Sequence, residues 1–505
     1  MGGMVCALER GWVGTFMAMS RFSNMDIGEN LVSGGQCGVA AAQVSFVSSQ
    51  GIGFQAMALR MTRETASFEL YAPGVVVQAS EVLREFRIGL DDRTLYSGKA
   101  VVSGLVHAGG GTVCEVALDE GWVDVELQGL GTRANGLRAG FGHFLGRWEK
   151  FYKVVPEYKL VVSDMQTFLL DLRSWLEQVE LGVRAMPLGD RLQAERETVR
   201  ELMGGTNAAI SSFFERFEEV TGRIAPDLVP IHRSFCRRHL HPLLLSSPFM
   251  HRIYTKPLGY AGDYEMVNMI MRDPLEGGSL FAKLLNVFIL SQVPAEAHRN
   301  RVLYLKGKLI EETSRRSRHG AVCRIFNLGC GPAREVQDFL REQHLASSAQ
   351  FTLLDMNDET LQHTGHVLET IKARSMRQTP IKLVKKTVHQ LLKQAGKPRT
   401  AGEEYDFVYC AGLFDYLSDR VCRALINLCY EWLAPGGLLL LTNVDPHNPI
   451  RRVMEYFYEW HLIYRSGNQL AALASDVAGL AELKVLAEPT SANLFLEIRK
   501  PLASQ

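Results

Sequence analysis

Short stretches with apolar residues at every second position mark the N-terminal part of the chain, from about residue 20 to 130. The stretches Gly53–Leu59 and Lys99–Val102 show this alternation, and the turn residues of Ala72–Gly74 and Ala108–Gly111 separate such segments. Alternation with period two is typical of strands that bury one face. Several short strands with regular turns predict a small β-barrel or sandwich.

The pattern changes to helical spacing between about residues 140 and 315. Aromatic and apolar side chains recur every three or four positions in two clear groups: Phe144, Trp148, Phe151 and Tyr152, then Phe168, Leu169, Leu172 and Trp175. We expect these aromatic residues to form a buried helical core. Pro187–Asp190 and Gly204–Asn207 are predicted breaks between helices. This zone is predicted to be a helical linker and lid domain.

From about residue 316 to the end, apolar strand-like runs alternate with helix-like segments. This alternation predicts a parallel sheet with helices on both faces, and the last strand is expected to be antiparallel. The predicted strands are, in order, Val322–Leu328, Gln350–Leu354, Ile381–Lys385, Glu404–Cys410, Leu438–Asn443, Leu483–Glu488 and Asn493–Ile498. The C-terminal third is therefore expected to be an α/β domain of Rossmann-like type.

The chain of 505 residues is too long for one hydrophobic core, so two or three domains are expected. Its 55 basic side chains balance its 55 acidic ones, which argues against a nucleic-acid substrate. The nine cysteines form no CxxC pair, so free thiols in a reducing cytoplasm are expected, and neither a metal site nor a disulfide framework. No apolar run reaches the roughly 20 residues of a membrane span. The sequence leaves the oligomeric state open, a homo-oligomer included.

A glycine-containing loop follows the first strand of the α/β domain. The loop Gly329–Cys330–Gly331–Pro332–Ala333 leads directly into a helix-like segment, so backbone amides there can approach a ligand closely. Asp355 ends the next strand, about 24 residues beyond Gly331. A carboxylate at that place can accept hydrogen bonds from both hydroxyls of a ribose. The glycine loop alone is a weak signal; together with Asp355 it indicates a nucleoside-containing cofactor.

Residues 321–500 resemble class I S-adenosylmethionine-dependent methyltransferases. The resemblance implies S-adenosylmethionine as cofactor and S-adenosylhomocysteine as product. It places Gly329, Cys330 and Gly331 around the amino acid part and Asp355 on the ribose. Around the adenine and the sulfonium it places Met356, Thr387, Val388, Cys410, Ala411 and Gly412. Two positions depart from the family pattern, because Asn327 stands for an acidic residue and Ala333 for a glycine.

A rigid loop upstream supplies candidates for the lid over this cofactor. Tyr254–Glu265 contains two glycines, a proline and three tyrosines, and a helix is expected to begin at Tyr264. In the family a lid Tyr or Arg commonly holds the methionine carboxylate, which makes Tyr260 and Arg299 the candidates. Asp263 is a candidate catalytic residue, and the alternative is a surface turn in which Asp263 caps the helix.

The insertion after the fifth predicted strand is rich in aromatic residues. A helix through Met454, Tyr456, Phe457, Tyr458, Trp460, His461 and Tyr464 is expected to wall an apolar acceptor pocket. His461 would orient or deprotonate the acceptor, or it is one polar member of a packed helix. Both alternatives remain open.

The N-terminal zone resembles PilZ domains in the runs Val47–Phe54 and Ser97–Val102. That family binds cyclic di-GMP through an arginine pair and a D-x-S-x-x-G turn. Here Phe46 occupies the position of the aspartate, and only Ser48 and Gly51 of the turn remain. Arg21 is the only arginine between residues 11 and 50. We therefore expect a degenerate barrel that does not bind cyclic di-GMP tightly.

Over most of its length the chain also resembles bacterial methyltransferases that make 3-hydroxypalmitic acid methyl ester, an extracellular factor. The resemblance lies in Lys256–Tyr264 and in the order of barrel, helices and methyltransferase domain. It implies a small, largely apolar acceptor such as a fatty acyl carboxylate. Two alternatives stay open: an N- or C-methyltransferase of another small metabolite, and a non-catalytic ligand-sensing regulator.

Overall fold

The computed structural model describes residues 42–62, 64–70, 77–90, 93–108, 111–119, 145, 153–393, 404–477 and 482–502. Arg21, the turn Ala72–Gly74 and the first aromatic group (Phe144, Trp148, Phe151 and Tyr152) lie outside these ranges.

The N-terminal region is a closed barrel of six antiparallel strands, which confirms the expected small β-barrel. Its strands are β1 Gln43–Val47, β2 Gly53–Met61, β3 Thr65–Leu70, β4 Val82–Leu90, β5 Arg93–Ala108 and β6 Gly111–Leu118. Around the barrel they follow the order β1-β2-β3-β6-β5-β4. Alternate side chains fill the interior, where the ring of Phe46 packs 5.3 Å from that of Phe68 and 6.0 Å from that of Phe86. The residue at the degenerate aspartate position is thus part of the barrel core.

Among the described residues, seven helices follow the barrel and precede the sheet: α1 Pro156–Ala185, α2 Leu188–Thr221, α3 Val229–Leu244, α4 Pro248–Thr255, α5 Tyr264–Met271, α6 Leu280–Leu290 and α7 Val293–Ser317. The predicted break at Pro187 is confirmed, because α1 ends before it and α2 begins after it. The predicted break at Gly204–Asn207 is wrong, because α2 continues through it. Each glycine costs about 1 kcal/mol relative to alanine, and the burial of Ile210, Phe214 and Phe217 against the neighbouring helices offsets that cost.

The C-terminal region is a seven-stranded sheet with helices on both faces, and the expected Rossmann-like fold is confirmed. Its strands are β7 Cys323–Leu328, β8 Ala349–Asp355, β9 Ile381–Lys385, β10 Tyr405–Cys410, β11 Leu433–Val444, β12 Glu482–Ala487 and β13 Asn493–Arg499. The helices are α8 Arg334–Glu342, α9 Asp358–Arg374, α10 Val388–Leu392, α11 Asp419–Glu431, α12 Arg451–Phe457 and α13 Gly467–Ala472. As expected, the last strand, β13, is antiparallel to its neighbours β11 and β12.

The strand order β12-β13-β11-β10-β7-β8-β9 reverses its direction between β7 and β10. From β7 the chain moves outward through β8 and β9, and it then returns to the other side of β7 with β10. Open α/β sheets bind ligands at the carboxyl ends of the strands beside such a reversal. The loops after β7 and β10 begin at this place, with Gly329 and Ala411.

The barrel lies against both other regions through the segment Val77–Val82. Val82 N donates to the carbonyl of Gly259 at 2.8 Å, Ala79 N donates to that of Tyr416 at 3.1 Å, and Ser80 Oγ donates to that of His461 at 2.9 Å. These bonds fix the barrel over the lid loop and over the insertion after β11.

Two further expectations concern cysteines and membrane spans. Within the described ranges seven cysteines are free and buried, as expected, and Cys6 and Cys37 lie outside those ranges. No single described helix is long and apolar enough to cross a membrane, although the bent pair α6 and α7 together meets the length and composition of a span.

Candidate active site

A cavity of about 200 Å³ lies over the carboxyl ends of β7, β8 and β10. Residues from all three regions line it: Gln78 from the barrel, Tyr260 and Arg301 from the helical region, and Asp355 and Gly412 from the α/β domain. The residues predicted for cofactor binding and those predicted for the acceptor thus meet largely around one space.

The glycine loop and Asp355 form one end of this cavity. Gly329 and Gly331 have φ values of +70° and +51°, which glycine adopts readily. The carboxylate of Asp355 accepts hydrogen bonds from Gly331 N at 3.1 Å and Asn357 N at 3.0 Å, and burial raises its pKa. The N-cap of α9 is Asn357, whose side chain accepts from Thr360 N. Asp355 is therefore not needed as the helix cap and has lone pairs left for a ligand.

The predicted adenine residues divide into two groups. Met356 and Val388 line the cavity, and so does Lys386, which sequence reasoning missed. Thr387 instead forms a capping box with Gln390 at the start of α10. Sequence spacing placed the right loop at the cavity but did not separate the lining residue from the helix cap.

The end of β10 supplies the floor near the reversal of strand order. Ala411 and Gly412 line the cavity, whereas Cys410 is buried within the sheet. Gly412 has a φ of +91°, and its amide donates to Thr442 Oγ1 at 2.9 Å. The strand therefore ends in a fixed turn without a side chain, which leaves room beside the loop after β7.

Of the two arginines near the middle of α7, Arg301 lines the cavity and Arg299 does not. The guanidinium of Arg299 donates to the carbonyls of Ile270 and Leu290 at 3.2 and 2.9 Å, so it caps the ends of α5 and α6. Arg301 is buried, lines the cavity and contacts His298 Nε2. It belongs to the buried stripe of α7 with Val302, Leu305 and Leu309. The helical spacing of these apolar positions is therefore the sequence signal that distinguishes Arg301 from Arg299.

Glu335 places an acidic side chain beside Asn327. Its Oε1 accepts hydrogen bonds from Tyr409 Oη at 2.7 Å and from Asn327 Nδ2 at 3.2 Å, while Asn327 Oδ1 has no partner among the described residues. Burial raises the pKa of Glu335, and the nearby charge of Arg301 opposes that shift. The buried carboxyl group of Glu335 and the buried guanidinium of Arg301 thus line the same cavity as the glycine loop, and groups of this kind can pair with an amino acid group.

The lid loop places Tyr260 as predicted but gives Asp263 a different role. Tyr260 lines the cavity, and burial raises the pKa of its hydroxyl, which therefore stays protonated. Asp263 lies outside the cavity. Its carboxylate caps α5 by accepting from Met266 N at 2.8 Å, and it pairs with Arg252 at 2.8 Å. This is the helix-cap alternative, so Asp263 is not a catalytic candidate in this structure.

His461 also lies outside the cavity, and the expected aromatic helix is shorter than predicted. α12 ends at Phe457, so Trp460, His461 and Tyr464 lie on the non-helical segment that follows. Tyr458 and Trp460 line the cavity. His461 instead turns to the barrel: its backbone bonds to Ser80, and burial lowers the pKa of its imidazole well below its usual range. His461 is buried, but it lies outside the helix that was expected to contain it.

Asp415, which follows β10, is a third acidic residue at the cavity, beside Asp355 and Glu335. It lines the cavity, its Oδ1 accepts from Val444 N at 2.7 Å, and burial raises its pKa to about 6. The carboxyl group therefore changes its protonation state just below neutral pH.

The rest of the cavity wall is apolar. It comes from the helical region and from the insertion after β11, and includes Phe249, Ile253, Met266, Ile270, Ile289 and Met454. These side chains belong to the large helical core, so the cavity opens into the apolar interior beside the lid. Such a wall suits a hydrocarbon portion of an acceptor.

Comparison with known proteins gives only distant similarities. No family model matches the chain, and no curated protein matches it. A possible exported protein from Bordetella parapertussis is 18% identical, with a TM-score of 0.39, over 52% of this chain and 88% of that one. Magnesium protoporphyrin IX methyltransferase from Synechocystis PCC 6803, with bound S-adenosylhomocysteine, is 13% identical (TM-score 0.35, 50% and 100% covered). N-methyltransferase NodS from Bradyrhizobium japonicum is 17% identical (TM-score 0.29, 47% and 98% covered).

Proposed function

We propose that this protein transfers a methyl group from S-adenosylmethionine to a small, largely apolar molecule, and that a fatty acyl carboxylate is the acceptor class to test first. The observation that carries the proposal is the single cavity in which the glycine loop, Asp355 and Gly412 face an apolar wall. The sequence resemblance to class I methyltransferases suggests S-adenosylmethionine as the ligand of the polar end, which the glycine loop and Asp355 form.

The chemistry of the residues at the polar end supports this cofactor. Asp355 would accept from the ribose hydroxyls, and Met356 and Val388 would pack on the adenine. Arg301 and Glu335 offer buried charges for the carboxylate and the ammonium of the methionine part. The unpartnered Oδ1 of Asn327 is a further acceptor at this end. When bound, S-adenosylmethionine supplies an electrophilic methyl group on sulfur.

The chain's own contribution to the reaction would be positioning and exclusion of water. A carboxylate acceptor is already ionised at neutral pH and needs no general base. The apolar wall would hold the hydrocarbon portion, and Tyr260 would close the cavity from the lid side. Holding both reactants in a productive geometry can account for much of the rate of such a displacement.

A second candidate function is methyl transfer to nitrogen, carbon or hydroxyl oxygen. Asp415 favours it, because a buried carboxyl group with a pKa of about 6 can accept a proton at neutral pH. An ammonium, an acidic carbon or a hydroxyl would need such a base, whereas a carboxylate would not. Asp415 therefore defines the choice between the two acceptor classes.

The test is calorimetry with S-adenosylhomocysteine, followed by labelled S-adenosylmethionine with palmitate, 3-hydroxypalmitate and hexadecylamine as acceptors. We expect the protein to bind S-adenosylhomocysteine and to form a labelled methyl ester from a fatty acid. Transfer to the amine alone would favour the second candidate. If S-adenosylhomocysteine does not bind, the methyltransferase assignment is rejected, and the ligand-sensing regulator remains as the alternative.

We also propose that the barrel does not bind cyclic di-GMP. Phe46 packs in its core where the family has an aspartate, and Ser49 of the remaining turn lies against Gly259 of the lid loop. A titration of the full chain with cyclic di-GMP is expected to show no binding in the submicromolar range, and tight binding would refute this part.

A further inference from the structure

We propose that Gln78 of the N-terminal barrel binds the acceptor, by donating a hydrogen bond from its carboxamide to an acceptor oxygen. The acceptor site would then be incomplete without the barrel. This inference rests on the proposed function and extends it to a residue that neither the sequence motifs nor the family resemblance points to.

The first observation is that Gln78 is a cavity-lining side chain with an unused donor. The residue lines the cavity and is 4% exposed, and its Nε2 has no hydrogen-bond partner among the described residues. A buried amide nitrogen without a partner loses its water and gains nothing in exchange. Such groups are rare in folded proteins and call for a functional explanation. A ligand oxygen in the adjacent cavity provides one.

The second observation is that the barrel holds Gln78 firmly in this place. Gln78 N donates to Glu81 Oε2 at 2.9 Å, and Glu81 Oε1 accepts from Ser49 N and Ser49 Oγ, both at 2.7 Å. Ser80 lies between Gln78 and Glu81 in the sequence, and its Oγ donates a hydrogen bond to the carbonyl of His461. The segment is therefore anchored on both sides, to the barrel turn and to the insertion, as a binding residue requires.

The third observation identifies which end of the cavity Gln78 serves. Its neighbour Ala79 donates to the carbonyl of Tyr416, and Tyr416 Oη accepts from Trp460 Nε1 at 2.9 Å. Tyr416 and Trp460 both line the cavity beyond Gly412. Gln78 thus belongs to the acceptor side, whereas Asp355 and the glycine loop form the cofactor side.

The chemistry of the donor indicates the class of acceptor atom. An amide N–H matches a carboxylate or another oxygen, and a hydrogen bond to an ionised oxygen is stronger than one between neutral groups. It does not match an ammonium, which has only donors. Gln78 therefore favours an acceptor that presents oxygen at this position.

The test measures binding of palmitate to the complex with S-adenosylhomocysteine, by calorimetry, together with kcat and KM for methyl transfer. We compare Gln78→Leu and Gln78→Glu with Gln55→Leu, a control at an exposed glutamine on β2 of the same barrel. Gln78→Leu should weaken palmitate binding about tenfold and raise KM. Gln78→Glu should weaken it further, because it places a negative charge beside the carboxylate. The control should change neither, and S-adenosylhomocysteine affinity should stay constant throughout.

Each outcome decides the proposal. If Gln78→Leu binds palmitate within twofold of the wild type, Gln78 does not hold the acceptor, although the proposed function stands. If Gln78→Glu binds hexadecylamine better than the wild type does and palmitate is never bound, the oxygen acceptor is wrong and the amine candidate gains. If the wild type binds no S-adenosylhomocysteine, the proposed function fails together with this inference. Thermal unfolding of each variant shows whether it is folded; should Gln78→Leu not fold, the isosteric Gln78→Glu decides alone.

Discussion

The guanidinium of Arg301 lies directly against Gly412: a Cβ atom at position 412 would be 3.0 Å from Arg301 Nη1 and 3.3 Å from Nη2. Arg301 comes from the helical region and Gly412 from the end of β10, so this contact joins the lid to the sheet at the centre of the cavity. Because Gly412 has no side chain, the buried guanidinium of Arg301 can approach the loop after β10.

The contact makes Gly412→Ala a sensitive test of the site. The substitution would place a methyl group against Arg301 and would also strain the backbone, whose φ is +91°. We expect affinity for S-adenosylhomocysteine to fall about tenfold or more, with a smaller loss of thermal stability. Gly320→Ala is the comparison, because Gly320 has a similar φ of +66°, a Cβ there meets no atom within 4 Å, and the residue does not line the cavity. Equal affinities for Gly412→Ala and the wild type would contradict the assignment of this loop to the cofactor.

Asp355 should carry much of the cofactor affinity. Asp355→Ala would remove two charge-assisted hydrogen bonds to the ribose, about 3 kcal/mol, or roughly a hundredfold in Kd. Calorimetry with S-adenosylhomocysteine measures this loss. Asp358→Ala is the matched control, since Asp358 lies in the exposed first turn of α9 and pairs with Lys385. Unchanged binding by Asp355→Ala would reject the ribose role.

The two arginines of α7 should behave differently. Arg301→Lys keeps the charge but loses the planar fork that suits a carboxylate, so we expect weaker binding of S-adenosylhomocysteine by about tenfold. Arg299→Lys would lose hydrogen bonds to the ends of α5 and α6. It should lower the melting temperature and leave the affinity of the folded protein unchanged. The reverse pattern would restore Arg299 as the cofactor ligand.

The sequence was sufficient for the parts of the site that depend on strand ends. Buried apolar runs placed β7, β8 and β10 within a few residues, and the loops after them brought Gly331, Asp355 and Gly412 to one cavity. Side chains chosen from loops and helices were less certain. Asp263 and Thr387 are helix caps, and neighbouring positions on α7 point to different faces, so Arg301 reaches the cavity while Arg299 does not.

Contacts between regions were beyond the reach of local patterns. Nothing in the periodicity of residues 77–81 indicates that Gln78 lines a cavity over a sheet more than 200 residues away in sequence. The same holds for His461, whose backbone N–H donates a hydrogen bond to Ser80 Oγ of the barrel. Pairings of this kind depend on how the three regions pack, and one sequence alone does not specify that packing.

Tyr260 and His461 should therefore give opposite results. Tyr260→Phe removes a hydroxyl at the cavity and should reduce methyl transfer several-fold without changing cofactor affinity. His461→Ala keeps the backbone hydrogen bonds to Ser80 but leaves a cavity where the buried imidazole packs, so it should mainly lower the melting temperature. Steady-state kinetics at saturating cofactor separates the two effects. A large loss of kcat for His461→Ala at unchanged stability would return His461 to the acceptor site.

The pH dependence of methyl transfer should report the role of Asp415. Burial raises its pKa to about 6 from an ordinary value near 3.8, so the folded protein favours the protonated form. A carboxylate acceptor is repelled by ionised Asp415, so for the fatty acyl proposal kcat/KM should fall as the pH rises through about 6. If Asp415 is instead the base for an amine, hydroxyl or carbon acceptor, kcat/KM should rise through the same value, because only the ionised form accepts a proton. Asp415→Asn removes the titration and should flatten either profile; it should keep transfer to a carboxylate and abolish transfer that requires a base. A step near pH 6 that persists in Asp415→Asn would show that another group controls the reaction.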